Sequence, residues 1–308
     1  ARAVEARAVK RSAAAARRAG SAASTPPIDR TPKLFIGGKQ VRPDSGYATP
    51  VYAADGTLAG EVGTGNRKDI RNAVEAARKA QSGWARATAH LRAQVLYYLG
   101  ENLSARADEF AGRIVALTGG TRAAGAREVE AAVQRLWTYA AWADKWDGRV
   151  HHTPYRNVTL AMPEPLGVIG IVCPDEAPLL GLISLVAPAV ALGNAVVAVP
   201  SAPWPLLATD FYQVIETSDV PAGVVNIVTG PKDELAAVLA AHDDVDGAWY
   251  QGSAQGSAEV ERLSCGNLKR TWVNYGRSRD WFSREQGEGE EFLDEATQVK
   301  NIWVPYGE

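Results

Sequence analysis

Sulfur is scarce in this chain. Its 308 residues hold two cysteines, Cys173 and Cys265, and one methionine, Met162. Two cysteines cannot build a disulfide framework, so stability must come from a buried apolar core. The free thiols fit a reducing, cytoplasmic setting. No apolar run reaches the ~18 residues of a membrane helix without Pro or Gly signals inside it, so no membrane span is expected. An excess of charge is missing too. The chain has 33 Lys and Arg against 35 Asp and Glu, a formal net charge of -2, which gives no reason to expect nucleic acid. Only four histidines occur. His151 and His152 are neighbours in a strand-like stretch, where successive side chains point to opposite faces, so they do not chelate one metal. No metal site is expected.

What charge there is lies unevenly. Residues 1–20 carry Arg2, Arg7, Lys10, Arg11, Arg17 and Arg18 against Glu5, and residues 285–308 carry seven acids against Lys300. The basic start reads either as an organelle transit peptide or as an exposed Ala/Arg helix over 1–19 with a Ser/Thr/Pro linker over 20–32. The largely alanine stripe favours the helix and linker. The lone Met162 leads us to expect a trimmed initiator or a piece of a longer polypeptide.

The organising stretch is 164–199. Val168–Cys173 has the length of a buried strand, Pro178 opens an apolar helix over Leu179–Leu192, Gly193-Asn194 stops it, and Ala195–Val199 is a second strand. This is a β-α-β unit of a parallel sheet. The alternation continues. Strands are expected at 224–228, 247–250 and 270–274, and helices at 205–217, 232–241 and 253–263. Upstream, short strands are expected at Leu34–Ile36 and Ala48–Ala53 and a helix over 66–81. A helical tract follows from Trp84 to Trp146, broken near Gly100 and at Gly119-Gly120, whose Trp137, Trp142 and Trp146 read as packing. Residues 149–162 read as a hairpin. The alternation over 297–305 reads as a strand that must pair with a sheet elsewhere. The fold class is therefore α/β, a Rossmann-like doubly wound sheet.

In such sheets ligands sit off the strand C-terminal ends. Here that edge comprises Pro174–Ala177, Pro200–Pro203, Gly230 and Gly252–Gly256. Gly252 and Ser253 open a helix whose N–H groups suit a phosphate, a weak signal by itself. Cys173 ends a strand beside this edge, yet no Lys, Arg or His adjoins it in sequence to lower its pKa, so it reads as a small buried hydrophobe. Cys265 has less claim.

Several motifs in order carry a resemblance. Glu164-Pro-Leu-Gly-Val168, Pro174-x-x-x-Pro178, Gly193-Asn194-x-Val-Val197, Pro221-x-Gly-Val-Val-Asn226-Ile-Val-x-Gly230, Gly252-Ser253 and Asn267-Leu-Lys-Arg270 together resemble the aldehyde dehydrogenase superfamily over about 33–276 and 292–305. The resemblance implies a domain layout: 33–148 an N-terminal helical part, 149–163 an oligomerisation hairpin, 164–276 a Rossmann-like cofactor domain, and 277–308 an acidic connector with an oligomerisation strand. It implies NAD or NADP as cofactor and a homodimer through 149–163 and 297–305. The departures are equally plain. Glu176 stands where the family has an oxyanion-binding Asn. Val199 and Ala202 replace the Lys and Glu that hold the adenosine ribose. Asn274 stands at the start of the motif that carries the general base, and an amide takes no proton. The Gly-Gln-x-Cys nucleophile does not occur in these residues.

This pattern resembles the C-terminal, truncated copy found in the sixteenth aldehyde dehydrogenase family. It implies a non-catalytic domain, a pseudoenzyme with no catalytic residue of its own and only vestigial cofactor contacts at Gly252 and Ser253. Its partner would be a catalytic domain upstream in the same polypeptide. Two other readings stand beside it: part of an active NAD(P)-dependent oxidoreductase whose nucleophile lies elsewhere, or a nucleotide-sensing or partner-binding module.

Overall fold

The structure is a computed structural model that describes residues 33–306. The Ala-rich helix and linker expected over 1–32 lie outside the described residues. Leu34–Ile36 (β1) and Lys39–Val41 (β2) pair as a hairpin. Ala48–Tyr52 (β3) and Leu58–Gly63 (β4) form a separate two-stranded sheet. β2 and β4 escape the sequence pattern because exposed Lys-Gln-Val and a Gly-diluted segment carry little strand signal.

Arg67–Arg86 (α1) begins at a capping box formed by Asn66 and Asp69. Ile70, Ala73, Val74 and Ala77 are its buried stripe. Ala89–Ala105 (α2), Ala107–Thr118 (α3) and Arg122–Trp142 (α4) follow. The expected break near Gly100 is wrong. Gly100 is buried inside α2, where a Cβ would collide with the Trp137 indole of α4. It is glycine for close helix approach, not for a turn. The chain breaks instead at Ala87-Thr88 and Arg106, and again at Gly119, left-handed at φ 73°. Trp142 and Trp146 meet edge to face, 6.0 Å between ring centres, within the packing of this layer.

Arg149–His151 (β5) and Asn157–Pro165 (β6) make the hairpin. Then come Val168–Val172 (β7), Pro178–Ala191 (α5), Ala195–Val199 (β8), Leu206–Glu216 (α6), Val225–Ile227 (β9), Lys232–Ala241 (α7), Gly247–Tyr250 (β10), Ala254–Ser264 (α8) and Arg270–Val273 (β11). Arg284–Gly287 (α9), Glu291–Glu295 (α10) and Thr297–Pro305 (β12) end the described chain. The main sheet has seven strands in the order β11-β10-β7-β8-β9-β1-β2. It is parallel from β11 to β9, with β1 and β2 antiparallel at the far edge.

Side chains of β7 and β8 alternate between two cores, as the period of two requires. Ile169, Ile171, Val196 and Ala198 join the cluster with residues of α4, α5 and α6. Val168, Val172, Ala195, Val197 and Val199 join the one with α1 and α7. Helix α5 is buried along its whole length, so both its ends need partners from the protein. The Glu128 carboxylate of α4 accepts the Leu179 and Leu180 N–H groups at 2.9 and 3.3 Å. At the other end Trp84 Nε1 and Arg92 Nε donate to the Val190 and Ala191 carbonyls at 2.9 and 2.8 Å.

The strand N-terminal ends are tied by side chains. Asn194 accepts the Gly167 N–H at 2.9 Å and donates to the Ala189 and Ala296 carbonyls at 3.0 and 2.9 Å. Asp246 Oδ2 accepts the Val168 N–H and Arg78 Nη2, both at 2.7 Å. Lys269 Nζ donates to the Ala240 and His242 carbonyls at 2.7 and 2.9 Å, and burial lowers its pKa.

Residues 277–296 are more than an acidic stretch. Trp281, Phe292 and Leu293 are buried in the core, while Glu285, Glu290 and Asp294 face outward. Arg279 lies over Trp272 and Phe292 and pairs with Glu291. β12 then pairs antiparallel with β6 over nine residues, Thr297 opposite Pro165 through Pro305 opposite Asn157. Among the described residues no helix is long and apolar enough to cross a membrane.

Candidate functional site

The C-terminal ends of β7, β8, β9, β10 and β11 bring five short segments together. Asp175, in the turn after β7, reaches across this edge. Its Oδ1 accepts the Ala202 N–H from the turn after β8 at 3.1 Å, and Lys232 Nζ from the first residue of α7 at 3.3 Å. The Lys232 side chain is only 11% exposed. Glu176, next in the chain, is exposed. Val199 is fully buried in the core, so the position where the resemblance expects a lysine points no charge at the edge.

The Gly252–Gly256 turn is equally engaged. Asn274 Oδ1, just past β11, accepts the Gly252 N–H at 3.0 Å, while its Nδ2 donates to the Arg277 carbonyl. Ser253 caps α8 by accepting the Gly256 N–H at 3.0 Å. Tyr250 ends β10 and runs under the turn. Its hydroxyl lies so close to Gly252 and Gly256 that a Cβ on either would overlap it. The same hydroxyl donates to Asp233 Oδ1 of α7 at 2.6 Å. Burial, then the Asp233 bond, raises the Tyr250 pKa.

Cys173 is fully buried, and burial pushes its thiol up to about 12. At neutral pH it stays protonated and is no nucleophile. Cys265 is exposed on the far end of α8, where its Sγ donates to the Glu261 carbonyl. His151 and His152 are exposed on and beside β5. Among the described residues no group of His, Cys, Asp and Glu is placed to hold a metal ion.

Two cavities touch this edge. One of about 370 Å³ lies between Pro200–Pro203, Gly230 and the β3–β4 sheet. One of about 190 Å³ lies between α7 and α8, bordered by Asp233, Tyr250, Ser253, Gly256 and Glu259. A larger groove, about 850 Å³, is elsewhere, between α1 and the C-terminal halves of α7 and α8. Two of its cations are already paired, Lys68 with Asp44 and Arg71 with Glu75.

Sequence reading identified the edge, the Gly252 turn and Asn274, and the structure brings Gly252 and Asn274 into contact. It missed Asp175, Lys232, Asp233 and Tyr250 as partners. The only available signal was a Lys-Asp pair just after Gly230-Pro231, in the first turn of α7, which faces the Pro174 turn.

A mostly parallel sheet with helices on both faces and polar loops gathered at its strand C-termini defines a protein of the Rossmann-like α/β class. The model of the aldehyde dehydrogenase family matches residues 41–295. The chain belongs to that family. It is 35% identical over 256 residues to the hydroxyisobutyraldehyde dehydrogenase of Mycolicibacterium austroafricanum, covering 82% of this chain and 49% of that protein. It is 32% identical over 252 residues to human aldehyde dehydrogenase 1A1, covering 79% and 50%. Among solved structures, an aldehyde dehydrogenase of Brucella melitensis superposes with a TM-score of 0.75 at 28% identity, over 78% of this chain and 50% of that one. The NAD+ complex of betaine aldehyde dehydrogenase from Staphylococcus aureus shares the fold, with a TM-score of 0.75 at 22% identity over 78% and 49%. The chain spans about half the length of these relatives.

The residues present do not fit a dinucleotide. The Gly252 and Gly256 N–H groups are bonded within the protein, the cation Lys232 is held by Asp175, and Asp233 and Glu176 bring negative charge to an edge that would receive phosphates.

Proposed function

We propose that this chain is a non-catalytic aldehyde dehydrogenase unit that supports assembly of a catalytic one, in the manner of the truncated second copy of the sixteenth family. The observation that carries this reading is the outer face of the three-stranded β5-β6-β12 sheet. Val150 and Ile302 flank Leu160, and Val158 faces Val304, so with Met162 these side chains share one face. Val150 is 72% exposed, Val304 48%, Met162 41% and Ile302 39%. A contiguous apolar sheet face of this kind is an interaction surface, and the partner proposed for it is another aldehyde dehydrogenase subunit. The absent nucleophile, Asn274 in place of a base, and the buried neutral Cys173 support the non-catalytic half of the reading.

Removing 297–305, or making the milder Val150→Lys/Ile302→Lys variant, should lower the assembly mass measured by light scattering on the natural protein. An unchanged mass in a folded variant would refute the assembly role. The names of the relatives favour a second, compatible reading, in which the natural protein oxidises aldehydes with NAD(P) through a nucleophile outside these residues. Aldehyde-dependent NADH production by the natural protein, absent from the 308-residue chain, is the outcome that reading expects.

A further inference from the structure

We infer that this chain holds its dinucleotide groove shut with its own side chains, by two separate latches. The inference rests on the non-catalytic reading and extends it from the missing nucleophile to the cofactor groove. The first latch is Asp175. It spans the turns after β7 and β8 and the start of α7 by accepting from the Ala202 N–H and from Lys232 Nζ. Lys232 is a cation on this edge, and the Asp175 carboxylate engages it.

The second latch is Tyr250. Its ring passes beneath Gly252 and Gly256, and its hydroxyl reaches Asp233, so a hydrogen-bonded bridge closes the slot between the first turns of α7 and α8. What remains of that slot is about 190 Å³ bordered by Asp233 and Glu259, the latter paired with Arg262. That is under the ~300 Å³ at the small end of ordinary ligand pockets, and the Asp233 carboxylate repels a diphosphate, while the cavity of about 370 Å³ beside Pro200–Pro203 and Gly230 stays open. Asn274 completes the closure from β11 by accepting the Gly252 N–H. This part of the groove has thus become a joint, in which Asp175 and Lys232, Tyr250 and Asp233, and Asn274 and Gly252 bind one another, while the buried Ser201 hydroxyl and Gln251 amide beside it keep no partner.

The test is isothermal titration of NAD+, and separately ADP-ribose, into the 308-residue chain and its Asp175→Ala/Asp233→Ala/Tyr250→Phe variant. The wild type should give no saturable heat up to about 5 mM ligand, and the variant should bind at least about tenfold tighter than that limit. Saturable wild-type binding anywhere below about 5 mM would overturn the inference. So would a triple variant that keeps the wild-type circular dichroism spectrum yet stays silent. If the triple variant does not fold, Asp175→Ala alone decides by the same titration, since it frees Lys232 at a half-exposed carboxylate. Binding should then tighten by about threefold or more, and no change would overturn the first latch. Light scattering on the same samples separates this inference from the assembly reading. A wild type that binds NAD+ and still assembles through β12 defeats only the closed groove. A silent wild type whose assembly survives loss of 297–305 defeats only the assembly role.

Discussion

The two ends of the main sheet meet the same physical demand with side chains of different exposure. At the strand N-terminal ends, Asn194 and Lys269 are buried and tie backbone to backbone, and partly exposed Asp246 does the same. At the C-terminal ends, Asp175, Asp233 and Asn274 do the equivalent work nearer to solvent, against the buried Tyr250 and the mostly buried Lys232. A working ligand edge leaves donors unmatched until the ligand arrives. Here Asp175, Lys232, Tyr250, Asp233 and Asn274 are matched within the chain while buried Ser201 and Gln251 beside them are not, so both ends carry structural joints, one dry and one wet. The difference in exposure predicts unequal costs when each is cut.

The largest effect should come from the dry end. Asn194→Ala leaves the buried Gly167 N–H without its acceptor and takes one of two donors from each of the Ala189 and Ala296 carbonyls, which keep the backbone N–H groups of residues 194 and 166. It should remove about 3 kcal/mol in urea unfolding. A loss under about 1 kcal/mol would erase the contrast.

Glu128 comes next. It is buried at the ligand edge, where it holds the start of α5. Glu128→Ala should cost about 2 kcal/mol, because two buried N–H groups lose their acceptor. Glu128→Gln keeps an acceptor and isolates the charge. Burial raises the Glu128 pKa, against the opposing pull of the two backbone N–H bonds. The folded state therefore favours the protonated acid. Its contribution is complete below the unfolded carboxyl pKa and is lost as pH rises through the raised folded value. Wild-type stability should fall across that window relative to Glu128→Gln, in which the slope disappears. Parallel pH curves for the two proteins would show that Glu128 is not the titrating group.

The smallest effect belongs to the wet end. The Asp175 side chain is 46% exposed, so Asp175→Ala should change stability by less than about 1 kcal/mol. A larger loss, read from the same unfolding curves, would mean that the C-terminal joint is as stiff as the N-terminal one.

The α/β core was legible because each of its elements announces itself locally. Val168–Val172 is apolar and short, Pro178 starts α5, Gly193-Asn194 stops it, and the same alternation then repeats. Gly100 misled because glycine has two uses. Only the position of Trp137 on a neighbouring helix decides between a turn and a close approach. The latches were illegible for a related reason. Asp175 and Lys232 stand 57 residues apart and Tyr250 and Asp233 stand 17 apart, and what joins them is the register of a parallel sheet. Motif spacing records the backbone turns at that edge but not which side chains meet across it. The inward face of 277–296 was hidden by composition, since acids outnumber Trp281, Phe292 and Leu293 there and the pattern is too short to show a period.

The pairing of β6 with β12 also has a consequence for synthesis. Pro165 emerges from the ribosome long before Thr297, its partner in the finished sheet. At ordinary elongation rates the interval is roughly ten seconds. During it the hairpin exposes an unpaired edge with Val158, Leu160 and Met162 on one face. A nascent chain with a bare strand edge is open to pairing with its neighbours on the same message. The nine-residue match with β12 therefore acts as a late seal, and how quickly it closes sets how long the chain needs protection.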